Sequence, residues 1–371
     1  MPYLTTKSHI KTLHLDTELT WRGGENQIKI LIDGLGKAVE NHLAAPPNSA
    51  ISRKLGNTIP VKELPMSGLS LLPTAWKLKI YCQNHGIDIL DAHTSKAHSL
   101  ALLIKKFLPE IKLIVHRRVD YRPSHNAFSR WKYRTPLVDH YIAISHAIRN
   151  ILRQEGINEQ IITTIPSAVL PPPPIGKSQI EQLKKNLQIP SHCQIMANIG
   201  YLTPQKGQET LLKALPLVIQ SFPHFHCLIA GDGPLRQTLE KQAESLKIGK
   251  YLTFLGIRDD VPLLLQAADI LVMPSNDEGL GTSILDGLLA NCCVIATKVG
   301  GIPEIIRHEE TGLLSPKGDE VALAQNLLRA LRDKKIASEM AKKGHQFIKE
   351  NFSVDQLVTN TKNIYEKIIM D

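Results

Sequence analysis

The sequence predicts an α/β protein built as two successive halves, each a parallel sheet flanked by helices. Three observations lead there. Short apolar runs alternate with helix-length amphipathic segments along the chain, the pattern of strand–helix–strand units. Four consecutive prolines, Pro171-Pro172-Pro173-Pro174, interrupt that pattern. Such a run can continue neither a helix nor a central strand, and it makes a stiff linker. After it the alternation starts again. The length of 371 residues also suits two domains of ~100–200 residues each.

Taken in order, Ile10-Lys11-Thr12-Leu13-His14-Leu15 reads as the first strand. Gly23-Gly24 follow, and then a helical pattern over 25–39. Further strands are expected at 87–92, 111–116 and 140–145, with helices near 72–84, 96–108 and 146–154. Beyond the prolines, strands are expected at 193–200, 225–230, 251–255, 270–273 and 294–297. Helices are expected over 208–221 and 235–246, with a turn at Gly231-Asp232-Gly233-Pro234 before the second. The segment 354–370 reads as helix, with Leu357, Val358, Ile364, Ile368 and Ile369 as its apolar positions.

The net charge of +9 lies wholly in residues 1–170, which hold 22 Lys/Arg against 13 Asp/Glu. The first half alone should therefore face an anionic partner: nucleic acid, a membrane surface or a charged acceptor. No helix-turn-helix, zinc or RNA-recognition signature is present, so nucleic acid is not expected. Five scattered cysteines form no CxxC pair and suit buried thiols in a reducing cytoplasm. No leader-like apolar segment opens the chain, and no run approaches the ~18 apolar residues of a membrane span. A cytoplasmic protein is expected, peripheral on the inner face of the membrane at most.

The most telling stretch is Glu278-Gly279-Leu280-Gly281-Thr282-Ser283-Ile284-Leu285-Asp286. A glycine turn that opens a helix offers backbone N–H groups and a positive dipole end, which suits a phosphate. A carboxylate on each side can accept hydrogen bonds from sugar and ribose hydroxyls. Other patterns fail. Gly34-Leu35-Gly36 lacks a third glycine at the right spacing and lies in a helical pattern. There is no GxxxxGK[ST] loop. The 15 histidines form no HExxH pair, and no Asp-x-Asp follows a strand to hold a metal-bound diphosphate. No metal site is expected.

Four stretches together resemble the retaining GT-B glycosyltransferases of the family 4 type, a group with bacterial mannosyl-, glucosyl- and N-acetylglucosaminyltransferases. They are Gly23-Gly24-Glu25-Asn26-Gln27, Gly200-Tyr201-Leu202-Thr203-Pro204-Gln205-Lys206-Gly207, Gly231-Asp232-Gly233-Pro234, and Glu278 to Asp286 continued by Val299-Gly300-Gly301-Ile302-Pro303-Glu304. Their order fits the family along nearly the whole chain, more strongly in the second half. The resemblance implies two Rossmann-like domains facing across a cleft. Residues 1–170 with a returning helix 354–371 would bind the acceptor, and 171–353 the donor.

The resemblance also implies roles. Glu278 would bind donor-sugar hydroxyls, and Gly279, Leu280, Gly281 and Thr282 would give amides to the diphosphate. Asp286 stands where the family has a glutamate for the ribose, one methylene longer. Lys206 would pair with the diphosphate and stabilise the leaving group. Tyr201 stands where the family often has arginine; its hydroxyl or Arg258 would take that part. Asp232 and Gly233 fit both ordinary turn chemistry and a loop near the donor. Ile257 and Arg258 lie in the loop that holds the base. Gly23 and Gly24 would let backbone approach the phosphate and acceptor. His93 would lie near the anomeric carbon, with Thr94, Ser95 and Lys96 on the acceptor side. Arg117, Arg118 and Arg122 suit an anionic acceptor or membrane.

The implied activity is retaining, metal-independent hexosyl transfer from a nucleoside-diphosphate sugar of the UDP or GDP type, with no cofactor. A glycan or glycolipid of the bacterial surface, such as lipopolysaccharide, is the implied acceptor. The alternatives are a nucleotide-sugar epimerase of the same fold and a non-catalytic sugar-nucleotide or nucleic-acid binder.

Overall fold

A computed structural model of the chain describes residues 9–119 and 127–370. The described residues up to Ala168, together with the helix Val354–Met370, form one compact unit, and Val169–Ser353 form the other.

The first unit holds strands β1 (Ile10–Leu15), β2 (Val39–Ala45), β3 (Val61–Glu63), β4 (Ile89–Ala92), β5 (Lys112–Arg117), β6 (His140–Ala143) and β7 (Ile162–Thr164). They make one sheet in the order β3-β2-β1-β4-β5-β6-β7, parallel throughout. The second unit holds β8 (Gln194–Ile199), β9 (Phe225–Ala230), β10 (Leu252–Gly256), β11 (Ile270–Met273), β12 (Cys293–Thr297) and β13 (Leu313–Ser315). Their order is β10-β9-β8-β11-β12-β13, again parallel. Central strands such as Ile270-Leu271-Val272-Met273 are buried along their whole length, as parallel sheets covered on both faces require.

In each sheet the chain runs outward from its first strand and then returns to that strand's other side. β1 and β4 are neighbours that lead their chains in opposite directions, and so are β8 and β11. In such sheets the crevice outside the carboxyl ends of those two strands is the ligand position.

Local chemistry sets the helices. Thr94 Oγ1 accepts from the Ala97 amide at 3.1 Å, and Ser145 Oγ from the Ile148 amide at 3.2 Å. Both residues follow a strand and cap the helix that comes next. The helix Val354–Met370 packs its Leu357, Ile364, Tyr365 and Ile368 with Ile89, Ile114 and Ile142 of the first sheet. It also lies so close to Gly23–Leu35 that a Cβ on Gly34 would come within 2.3 Å of Val358 Cγ2.

Most expected elements stand within two residues of their expected bounds, and four strands were not expected. The helix over 25–39 ends at Leu35. Gly36 takes a positive φ of 49°, and Val39 opens β2 instead. The polar residues Glu40, Asn41 and His42 mask β2 as a strand. β3, β7 and β13 have three residues each, too few to show a period.

Candidate functional site

Two loops build the site of the second unit, one leaving β8 and one leaving β11. They cross at Gly207, whose φ is 64° and where a Cβ would lie 2.0 Å from the Pro274 carbonyl oxygen. Only glycine fits there. The Asn276 and Asp277 amides donate to the Gln205 carbonyl at 2.7 and 3.2 Å, and Asn276 Nδ2 donates to the Pro204 carbonyl at 2.7 Å. The loops are thus one body. On it Lys206 Nζ donates to Glu278 Oε2 at 2.5 Å, and Ser275 Oγ donates to the same oxygen at 3.3 Å. The Gly301 amide donates to the Glu278 carbonyl at 3.0 Å, tying in the turn after β12. The pair is accessible, at 25% for Lys206 and 12% for Glu278.

The helix Thr282–Leu289 begins beside this pair. Gly281 precedes it with φ 97°, and no side chain caps it. The first amides of a helix have no acceptor within it, so those of Thr282 and Ser283 are available to an anion. Leu280 is buried and anchors the turn, so its side chain is turned away from solvent. Asp286 lies one turn further along. Burial pushes its carboxyl up to about 6.

The other donor-side candidates fall around the same strand ends. A Cβ on Gly231 would lie 1.9 Å from the Gly200 carbonyl oxygen, and one on Gly233 would lie 2.5 Å from that of Leu202. The Leu202 amide donates to the Asp232 carbonyl at 2.9 Å. The loop at 231–234 is therefore locked to the backbone at 200–202, next to half-exposed Tyr201. Asp232 Oδ1 accepts from the Gly233 amide at 2.8 Å, which is turn chemistry. Ile257 is 78% exposed. Arg258 donates through Nε and Nη2 to Asp260 Oδ1 and Oδ2 at 2.7 and 2.5 Å, so its guanidinium is engaged within its own loop.

At the corresponding place in the first unit, Gly23 and Gly24 open the helix Gly23–Leu35. A Cβ on Gly24 would meet nothing within 4 Å. Glu25 Oε2 accepts from the Arg22 amide at 2.7 Å, so the glutamate of that stretch caps the helix. His93 is buried in a chain of hydrogen bonds whose tautomers follow from one end. Asn41 Nδ2 donates to the Val39 carbonyl at 3.0 Å, so its Oδ1 accepts from His14 Nε2 at 3.0 Å. His14 Nδ1 then accepts from His93 Nε2 at 3.0 Å. This leaves a lone pair on His93 Nδ1, facing Arg118 Nη2 at 3.5 Å. Burial holds His93 well below the usual imidazole range, so it is neutral.

Below His93 lies Asp91, fully buried. It accepts from Tyr365 Oη at 2.5 Å and from His116 Nε2 at 3.2 Å. Burial opposes its charge, but the hydrogen bond donated by His116 helps hold its carboxyl well below the usual range. His14, Asp91 and His93 place three ligand-capable atoms within 4.8 Å of one another. The hydrogen-bond chain accounts for the same contacts.

Thr94 Oγ1 shares a 2.6 Å hydrogen bond with Thr17 Oγ1. Ser95 Oγ accepts from Lys132 Nζ at 3.0 Å, while Lys96 is exposed. Arg117 is buried and donates to Tyr133 Oη at 2.6 Å, so it does not join an exposed basic face. Arg122 lies outside the described residues.

Sequence reasoning missed His14, Asn41, Asp91, His116 and Tyr365. Polar residues interrupting apolar strands were the available signal. It also missed Asp16, buried at the end of β1. Burial, with Glu25 and Glu18 nearby, raises its carboxyl to about 8.

Comparison with known proteins gives the family and the fold. The profile of Glycosyltransferase Family 4 matches residues 21–170, and that of Glycosyl transferases group 1 matches residues 179–347. N-acetyl-alpha-D-glucosaminyl L-malate synthase of Bacillus anthracis is 26% identical over 333 residues, 88% of this chain and 86% of its own length. 2-deoxystreptamine glucosyltransferase of Streptomyces kanamyceticus is 24% identical over 282 residues, 75% of this chain and 71% of its own. The crystal structure of Anabaena Alr3699/HepE in complex with UDP and glucose superposes with a TM-score of 0.86, at 23% identity, over 97% of this chain and all of that one. Two Rossmann-like units, a helix returned to the first, and the two matched profiles place this chain in the GT-B glycosyltransferases of the group 1 and family 4 type.

Proposed function

We propose that the chain moves a hexosyl group from a nucleoside-diphosphate sugar, of the UDP or GDP type, to a glycan or glycolipid acceptor. The reaction is retaining and needs no metal ion. The observation that carries this reading is the Lys206–Glu278 pair beside the uncapped start of Thr282–Leu289. A cation beside helix-opening amides suits a diphosphate, and the adjoining carboxylate suits the hydroxyls of the attached sugar. Asp286, further along the helix, accepts from the ribose hydroxyls.

The acceptor hydroxyl attacks the anomeric carbon on the face from which the diphosphate leaves. The bond from the anomeric carbon to the diphosphate oxygen breaks, and that departing oxygen takes the acceptor's proton. Lys206 and the helix amides neutralise the charge that grows on that oxygen, the part a metal ion would otherwise play. Gly23, Gly24 and His93 of the first unit serve the acceptor side. A base is not required of the protein, in contrast to the carboxylate pairs of glycoside hydrolases.

Relatives support the pathway class. Anabaena Alr3699/HepE has been solved with UDP-glucose. The Rhizobium meliloti protein LpsE is a lipopolysaccharide core biosynthesis glycosyltransferase, 28% identical over 46% of this chain. Lipopolysaccharide-type synthesis is accordingly the proposed setting. A thermal-shift screen of UDP-, GDP-, ADP- and dTDP-glucose tests the donor, and the absence of a shift with all four sinks it. Slow hydrolysis of the best donor without acceptor separates an enzyme from a silent binder. The anomeric configuration of the product, read by NMR, decides retention.

A further inference from the structure

One face of the first unit has a second character that donor chemistry does not use. The helix Leu71–His85 turns Leu72, Trp76 and Ile80 outward at four-residue intervals, one stripe of a helix. Leu72 is 62% exposed and Trp76 51%. Leu69, one residue before the preceding turn ends, is fully exposed. Phe107, at the end of the helix Ser95–Phe107, meets Trp76 edge-on with ring centroids 5.7 Å apart. Trp131 joins Leu69, Leu72 and Leu103 around an apolar groove of about 400 Å³. Large apolar side chains massed on a surface in this way mark an interaction site.

The charge along the two helices has one sign. Between Glu63 and Asp88 the chain carries no acidic residue, nor does it between Asp91 and Glu110. Those two stretches contain both helices of the patch. Lys106 Nζ lies 5.2 Å from the centre of the Trp131 ring, and Lys79 Nζ lies 4.4 Å from that of Trp76. Lys77 stands exposed beside them. Aromatic and aliphatic side chains rimmed by lysines, with no acid among them, are the signature of a surface that sits in a lipid interface. A second copy of this chain suits the face poorly, because a two-fold contact would set one lysine rim against the other.

We propose that this face docks the protein on an anionic lipid bilayer. Leu69, Leu72, Trp76 and Phe107 enter the boundary between headgroups and acyl chains. Lys77, Lys79 and Lys106 pair with headgroup phosphates. The contact expected at Arg117 thereby moves to another part of the same unit, since Arg117 is buried. The inference rests on the first unit alone and stands whether or not the donor assignment does.

Co-sedimentation of the full chain with vesicles, without any nucleotide sugar, tests it. Binding is expected to phosphatidylcholine vesicles containing phosphatidylglycerol and to fall steeply with salt. It is expected to be absent or weak on phosphatidylcholine alone. Each of Lys77→Gln, Lys79→Gln and Lys106→Gln should weaken binding about fivefold. The combined variant Leu72→Ser, Trp76→Ser, Phe107→Ser should bind at least about tenfold more weakly. These positions are on the surface, so an unchanged melting curve checks that each variant is folded. The proposal is overturned if the native chain ignores phosphatidylglycerol, or if the folded triple variant binds as the native chain does. It is equally overturned if Trp76→Ser abolishes a concentration-dependent dimer and leaves vesicle binding intact.

Discussion

The two sheets put their switch points in the same topological place, yet furnish them in opposite ways. In the second unit the candidate groups sit on loops beyond β8 and β11, charged and part-exposed, with Lys206 and Glu278 in contact. In the first unit they sit on the strands themselves. His14, Asp91 and His116 are buried, and the hydrogen-bond chain that runs through His14 and His93 ends on Asn41 and Arg118. An accessible ion pair can exchange its partners for those of a ligand. A buried network fixes orientation, since an unmet polar group there is costly. The same switch-point arrangement thus carries an accessible ion pair in one unit and a buried polar network in the other.

Substitutions at the two places separate these characters. Glu278→Ala should lower turnover by about 100-fold or more while the melting temperature stays nearly constant, because the side chain supports no core. Unchanged turnover in a kinetic assay would remove Glu278 from the sugar site. Lys206→Ala should weaken nucleoside-diphosphate affinity about 10- to 100-fold, the range of a hydrogen bond to a charged group, as read by calorimetry. In the first unit the readout changes. Tyr365→Phe should cost about 1.5–3 kcal/mol of stability in urea unfolding and leave nucleotide affinity untouched. A loss of nucleotide affinity instead would dissolve the contrast between the units.

The smallest effect concerns pH. On the proposed reading Asp286 accepts from the ribose more strongly when ionised, so donor affinity should fall a few-fold as pH drops through about 6. Its carboxyl holds a proton more tightly folded than unfolded, so ionising it costs stability as pH rises through that value. Asp286→Asn should flatten the affinity profile and raise the melting temperature at neutral pH.

What could be read from the sequence follows the same division. The stretch from Glu278 to Asp286 was legible because its glycines and carboxylates are consecutive. The buried strands were legible because they are long and apolar. The network around Asp91 was not. His14 meets Asp91 only through the register of β1 on β4, and Tyr365 comes from 274 residues away. β2 was read through because the polar residues that disguise it, Asn41 and His42, are hydrogen-bonded inside the unit. Arg258 reads as a spare cation, but in the fold its guanidinium is forked on Asp260.

The helix Val354–Met370 belongs to the first unit but follows the whole second unit along the chain. During synthesis the sheet around Asp91 must therefore wait, with Ile89, Ile114 and Ile142 lacking their cover, while some 185 residues emerge. The second unit, contiguous in sequence, has no such delay. Vectorial folding of this protein accordingly starts in the middle, and a chain truncated before Val354 should carry a folded second unit and a protease-sensitive first one.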